Sequence, residues 1–199
     1  MSTAPPGLGA AAERVPSVRT AATAVLILAG AVMLAVRPAL FAASDASPNE
    51  RAVLLALLFG SLGAASLLPS MPADRAEAAP TAVFTVGVGA VAVAWWTAGP
   101  TAPLASAPLS IALSIAAAVA EEALFRRLAY GHLRRFGVPA AIGVTALVFA
   151  AIHVPAYGAA AFPVDLGAGL LFGWQRWASG TWTVPAATHA AANVLAVIR

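Results

Sequence analysis

The chain has 199 residues, 61% of them hydrophobic and only 10% charged, where soluble domains carry roughly 25% charged residues. That composition excludes an ordinary cytosolic globular domain and a disordered chain. It also excludes a nucleic-acid binder, because a net charge of +3 drawn from 11 arginines and 8 carboxylates forms no basic patch. Cysteine is absent, which removes disulfides, thiolate metal sites and a cysteine nucleophile.

Long apolar runs predict an all-α, polytopic transmembrane bundle of about six to eight helices. Residues 1–18, with Pro5, Pro6, Pro16, Glu13 and Arg14, show no helical period and read as a short disordered tail. The first apolar run is Thr20–Val36, stopped by Arg37 and Pro38. It is long for the apolar region of a signal peptide and reads as a retained helix, although Ala42, Ala43 and Ala46 follow it. The second run is Ala52–Leu68, and the third is Thr81–Ala98 with Trp95 and Trp96 as interfacial anchors. A Pro-rich, uncharged loop with Gly99, Pro100, Pro103 and Pro108 separates these N-terminal helices, 19–108, from a C-terminal core, 109–199.

The fourth run starts at Leu109, contains Glu121 and Glu122, and continues into the arginine-rich stretch Arg126–Arg135. The fifth is Pro139–His153. The sixth, Val164–Trp177, carries Gly169 and Gly173 at small-xxx-small spacing for close helix packing. The seventh is Val184–Val197. Arg126, Arg127, Arg134 and Arg135 between runs four and five predict a cytoplasmic side there. Counting back puts the N-terminus on the same side, in the plasma membrane of a bacterium. In this scheme Arg37 falls outside.

Charge at the centre of a membrane helix costs roughly 2.5–3.5 kcal/mol on the most lenient scale, so two adjacent glutamates in one run need a reason. At about 100° per residue, Glu122 and Arg126 lie about 40° apart, whereas Glu121 is about 140° from Arg126. Glu122 therefore pairs with Arg126 in the acid-first i,i+4 orientation, and Glu121 points elsewhere without a partner in its own helix. Arg127 then has to snorkel or face a water-filled cavity. The alternative places both glutamates at the interface beside Arg126.

Phe149 and His153 share one helical face at i,i+4 spacing, as do His189 and Asn193. Each histidine alone also suits a hydrogen-bonded core position. His132, among the arginines, reads as solvated. Asp165 follows Pro163 near a helix start, where a carboxylate suits the dipole. Counted from Arg134 and Val138, Glu121 and His153 both lie about 20–22 Å along their helices, near mid-membrane. One unpaired carboxylate, two imidazoles and an amide at one depth suit hydrolysis: a general base on water and donors to an oxyanion. The set Glu121, His153 and His189 also has the composition of a catalytic zinc site, so hydrolysis without a cofactor and hydrolysis with a divalent metal such as zinc stand side by side.

The motifs Glu121-Glu122-x-x-x-Arg126, Phe149-x-x-x-His153 and His189-x-x-x-Asn193 resemble the three signatures of the CPBP intramembrane proteases. That family includes the CAAX prenyl endopeptidases and the bacteriocin-processing or immunity (Abi-like) proteins. The resemblance spans roughly Ser110–Val197. It implies an endopeptidase of membrane-associated substrates, such as prenylated CAAX-type proteins or leader peptides, with the lipid bilayer as its other partner. It implies that Glu121 and His153 activate water, that His189 and Asn193 form the oxyanion hole, and that Glu122, Arg126 and Phe149 support the site. A non-enzymatic membrane immunity or scaffold protein and a proton-coupled transporter are the competing classes. GxSG and GxGD patterns are absent.

Overall fold

The computed structural model describes residues 17–71, 74–97 and 108–198. Among them the chain forms seven helices and no strand. Ser17 caps α1 (Val18–Ala42), its hydroxyl accepting from the Thr20 amide. A capping box of Ser47 and Glu50 opens α2 (Pro48–Leu67). Helix α3 covers Pro80–Thr97. Helix α4 runs without a break over Pro108–Phe136. Helices α5 (Val138–Tyr157), α6 (Phe162–Ser179) and α7 (Thr183–Val197) follow. Helices α1 to α5 are long and apolar enough to cross a membrane, which makes the chain an integral membrane protein. Residues 1–16 of the expected tail and most of the Pro-rich loop lie outside the described residues, while Ser17 and Val18, expected in that tail, open α1.

Helix ends differ from the sequence reading by a few residues, as at the start of α2, and two helices run on through a proline. Helix α1 continues through Arg37 and Pro38 to Ala42, and α5 continues past His153 and through Pro155 to Tyr157. Proline removes one backbone donor, but packing of the rest of the helix maintains the axis. In α4 the chain widens into a π-helical segment, Ala123–Ala129, where a regular α-helix was expected. Such a widened turn displaces backbone groups from the regular ladder. Here the Arg126 carbonyl accepts from Arg176 Nε of α6 at 3.0 Å.

Gly137, at φ +100°, permits the turn from α4 into α5 that a residue with a Cβ would strain. Helix α5 packs on α6, α4 packs on α2 and α7, and α3 and α1 lie against α7 and α5 respectively. The α5–α6 contact depends on Gly169 and Gly173. A Cβ at Gly169 would sit 2.9 Å from the Ala146 Cα, and one at Gly173 would sit 2.9 Å from the Ile142 Cγ2. The small-xxx-small pair therefore brings the two backbones together. At Gly30 of α1 a Cβ would meet Leu62 and Leu124, so α1 is drawn onto α2 and α4. The buried core gathers Leu34, Phe59, Leu124, Phe125, Phe149 and Phe172 around α4.

Candidate active site

The site is built outward from Arg126, whose side chain is fully buried. Its Nε lies 3.2 Å from Glu122 Oε2, an ion pair whose angles are not those of a hydrogen bond. Its Nη2 donates to the Gly169 carbonyl at 3.1 Å. The guanidinium carbon lies 4.7 Å from the ring centre of Phe149 and 5.4 Å from that of Phe172. Aromatic faces thus take the place of water around part of the cation. Glu122 is also fully buried, and its Oε1 accepts from His189 Nδ1 at 3.0 Å. A cation on its own helix and an imidazole from α7 therefore hold Glu122 from two sides.

Glu121, one position earlier, turns to the opposite side. Its Oε2 is 3.7 Å from His153 Nε2, and its Oε1 is 3.8 Å from Arg37 Nη1 of α1. His153 Nδ1 is 2.7 Å from the Phe149 carbonyl oxygen. A carbonyl can only accept, so Nδ1 carries a proton, and the nitrogen that faces Glu121 is Nε2. At 3.7 Å the two atoms are too far apart for a direct hydrogen bond and close enough for one water to contact both. His153 is further fixed by Phe149 at 4.6 Å and by a parallel stack on Tyr157 at 5.8 Å.

His189 stacks on Phe172 at 4.9 Å and meets Phe149 edge-on at 5.5 Å. With Nδ1 committed to Glu122, its remaining nitrogen is Nε2. Asn193 Nδ2 donates to the Ser114 carbonyl of α4 at 3.1 Å, which leaves its second N–H available. Glu121, His153, His189 and Asn193 all line one cavity of about 730 Å³ between α1, α2, α4, α5, α6 and α7. Glu122 and Arg126 lie behind its wall, and Phe149 is part of that wall.

Arg127 is half-buried and finds protein partners. It donates to the Ser66 and Pro69 carbonyls and so satisfies the C-terminal end of α2. The conditional metal set of Glu121, His153 and His189 is not assembled: among the described residues, no three His, Asp or Glu side chains gather as ligands. His189 is instead turned onto Glu122 by Nδ1. His132 lies beside Arg135, partly exposed and away from the cavity.

Three residues were not placed in the site by sequence reasoning. Arg37 served there only as a helix stop and an orientation marker, yet it lines the cavity. Asp165, in the first turn of α6, lines it too, with a buried Oδ2 that makes no hydrogen bond. Arg176 is buried behind the site, where it binds the Arg126 carbonyl and pairs with Asp74. The available signal was the cost of each charge in an apolar run. It marks a residue as needing a partner without naming that partner.

Residues 101–195 match the Rce1-like family, described as type II CAAX prenyl endopeptidase Rce1-like. This agrees with the family resemblance carried by the three motifs. No curated protein and no solved structure matches the chain.

Proposed function

With residues 101–195 matched to the Rce1-like CAAX endopeptidases, we propose that this chain hydrolyses a peptide bond of a membrane-associated substrate within the cavity between α4, α5 and α7. The observation that carries this reading is the pair Glu121 and His153, 3.7 Å apart and both open to the cavity. A water between them donates one hydrogen bond to Glu121 Oε2 and one to His153 Nε2. As its oxygen attacks the substrate carbonyl carbon, its proton passes to this pair. The carbonyl π electrons move onto oxygen, and the tetrahedral intermediate carries a negative charge.

The free N–H of Asn193 is one donor for that charge. His189 Nε2 is a second donor when the ring is an imidazolium, a form that Glu122 compensates through Nδ1. Collapse of the intermediate breaks the C–N bond, and the proton held by the Glu121–His153 pair passes to the leaving amine. Glu122, Arg126 and Phe149 support this arrangement from behind the wall. The apolar lining suits a lipidated or hydrophobic peptide, with prenylated CAAX-type proteins as the substrate class implied by the family's description. The membrane is the plasma membrane of a bacterium, with the N-terminus and the α4–α5 turn facing the cytoplasm.

The test is a panel of membrane-anchored peptides, with and without an S-farnesyl cysteine near the C-terminus, presented in proteoliposomes. Wild type should cleave at least one, and Glu121→Gln and His153→Ala should not while remaining folded. Equal cleavage by Glu121→Gln would sink the mechanism. A chelator arm separates metal-dependent from metal-independent turnover.

A further inference from the structure

We infer that Arg37 of the N-terminal helix α1 is a positioning residue for Glu121, so that the hydrolytic site is completed by a helix outside the matched segment 101–195. The inference rests on Glu121 being the residue that activates water.

Arg37 lies in one of the most apolar helices of the chain, where an unpaired cation is costly. Its side chain is only 15% exposed and enters the catalytic cavity. There the guanidinium sits between two partners from different helices. On one side is the Phe59 ring of α2, 5.3 Å from the guanidinium carbon. On the other is Glu121 Oε1 of α4, 3.8 Å from Nη1. Gly30, two turns earlier on α1, permits the close approach that carries Arg37 to this depth.

Glu121 needs such a cation. Its side chain is 4% exposed, and its neighbour Arg126 is committed to Glu122 and Gly169. His153 adds a positive charge only when its ring is doubly protonated, whereas Arg37 carries one permanently. A buried carboxylate without a compensating cation is strongly disfavoured. Asp165 and Tyr157, the other acidic groups on the cavity wall, cannot compensate a negative charge. Arg37 also fixes direction. With Oε1 drawn toward α1, Oε2 is the oxygen that faces His153. The water-activating pair therefore depends on a contact between the two halves of the chain. A separation of 3.8 Å makes this an ion pair rather than a hydrogen bond, so charge rather than donor geometry carries the effect. Lysine should therefore replace arginine in part.

The experiment compares wild type, Arg37→Met, Arg37→Lys and Glu121→Gln in proteoliposomes, using the best-cleaved peptide of the panel. It also records thermal unfolding of each in detergent, with the double variant Arg37→Met/Glu121→Gln. We expect kcat to fall about tenfold or more in Arg37→Met with KM within about twofold, the signature of a lost transition-state contribution. Arg37→Lys should recover most of that loss. The melting shifts of Arg37→Met and Glu121→Gln should be non-additive, as for residues in direct contact. An unchanged kcat, a rise in KM alone, or a loss that lysine does not relieve would overturn the inference. If wild type cleaves no peptide, or Glu121→Gln cleaves normally, the endopeptidase reading fails. The melting series then still decides whether Arg37 and Glu121 act together, and additive shifts would end the inference on their own.

Discussion

In the most apolar stretches of α1, α2 and α3, 11%, 17% and 11% of residues are buried, whereas in α4 and α5 the share is 39%. Buried polar groups follow the same division. Among the described residues, all of them except Thr23 and Ser66 lie in α4 to α7. The first three helices therefore behave as solvent-facing elements whose solvent is lipid, with leucines such as Leu57 largely exposed. The last four form a polar interior that must satisfy itself. Gln175 illustrates the requirement: its amide donates to the Val83 carbonyl of α3 and to Thr188 of α7, joining three helices. A Cβ at Gly87 would collide with that amide. The difference teaches that the N-terminal helices are more than a passive annulus only where they touch this interior, chiefly through Arg37 and the carbonyls bound by Arg127.

The largest contrast should appear in activity. Glu121→Gln should lower turnover by about a thousandfold, or about 4 kcal/mol in barrier, without loss of folded protein. Single-turnover cleavage in proteoliposomes measures this. Arg126→Met should act on the fold itself. It leaves Glu122 buried without its cation and is expected to cost about 3–5 kcal/mol, read from unfolding in mixed micelles.

Packing contrasts follow. Leu124→Ala, at a fully buried position of α4, should cost about 2–5 kcal/mol through the cavity it leaves. Gly169→Val drives new atoms into the Ala146 backbone and should cost about 1–3 kcal/mol. At the small end, Leu57→Ala on the exposed face of α2 should stay within about 0.5 kcal/mol. A Leu57→Ala loss as large as that of Leu124→Ala would show that α2 is packed against a partner rather than lipid, and the division between the two halves would need redrawing.

Much of the fold could be read from the sequence because a membrane helix announces itself by composition. The seven runs correspond to seven helices among the described residues, and the differences lie at the ends, where α1 runs on through Pro38 and α5 through Pro155. Relations within one helix were also readable. The 3.6-residue repeat alone puts Glu122 beside Arg126 and Phe149 beside His153, and both pairs are in contact. The π-helical turn was not readable, because it answers to Arg176 on another helix rather than to a local propensity.

What the sequence determined by itself was that the chain is a helical membrane protein, that a few charges lie where charge is costly, and which of those charges pair along one helix. Tertiary structure alone decided which helices supply the remaining partners: Arg37 and His153 for Glu121, His189 for Glu122, Ser66 and Pro69 for Arg127. The physical reason is that periodicity sets the angle between residues of a single helix, whereas contact between helices also depends on relative rotation, depth and approach. Those quantities are set by packing at positions such as Gly30 and Gly169, where the missing side chain matters only once the facing helix is in place.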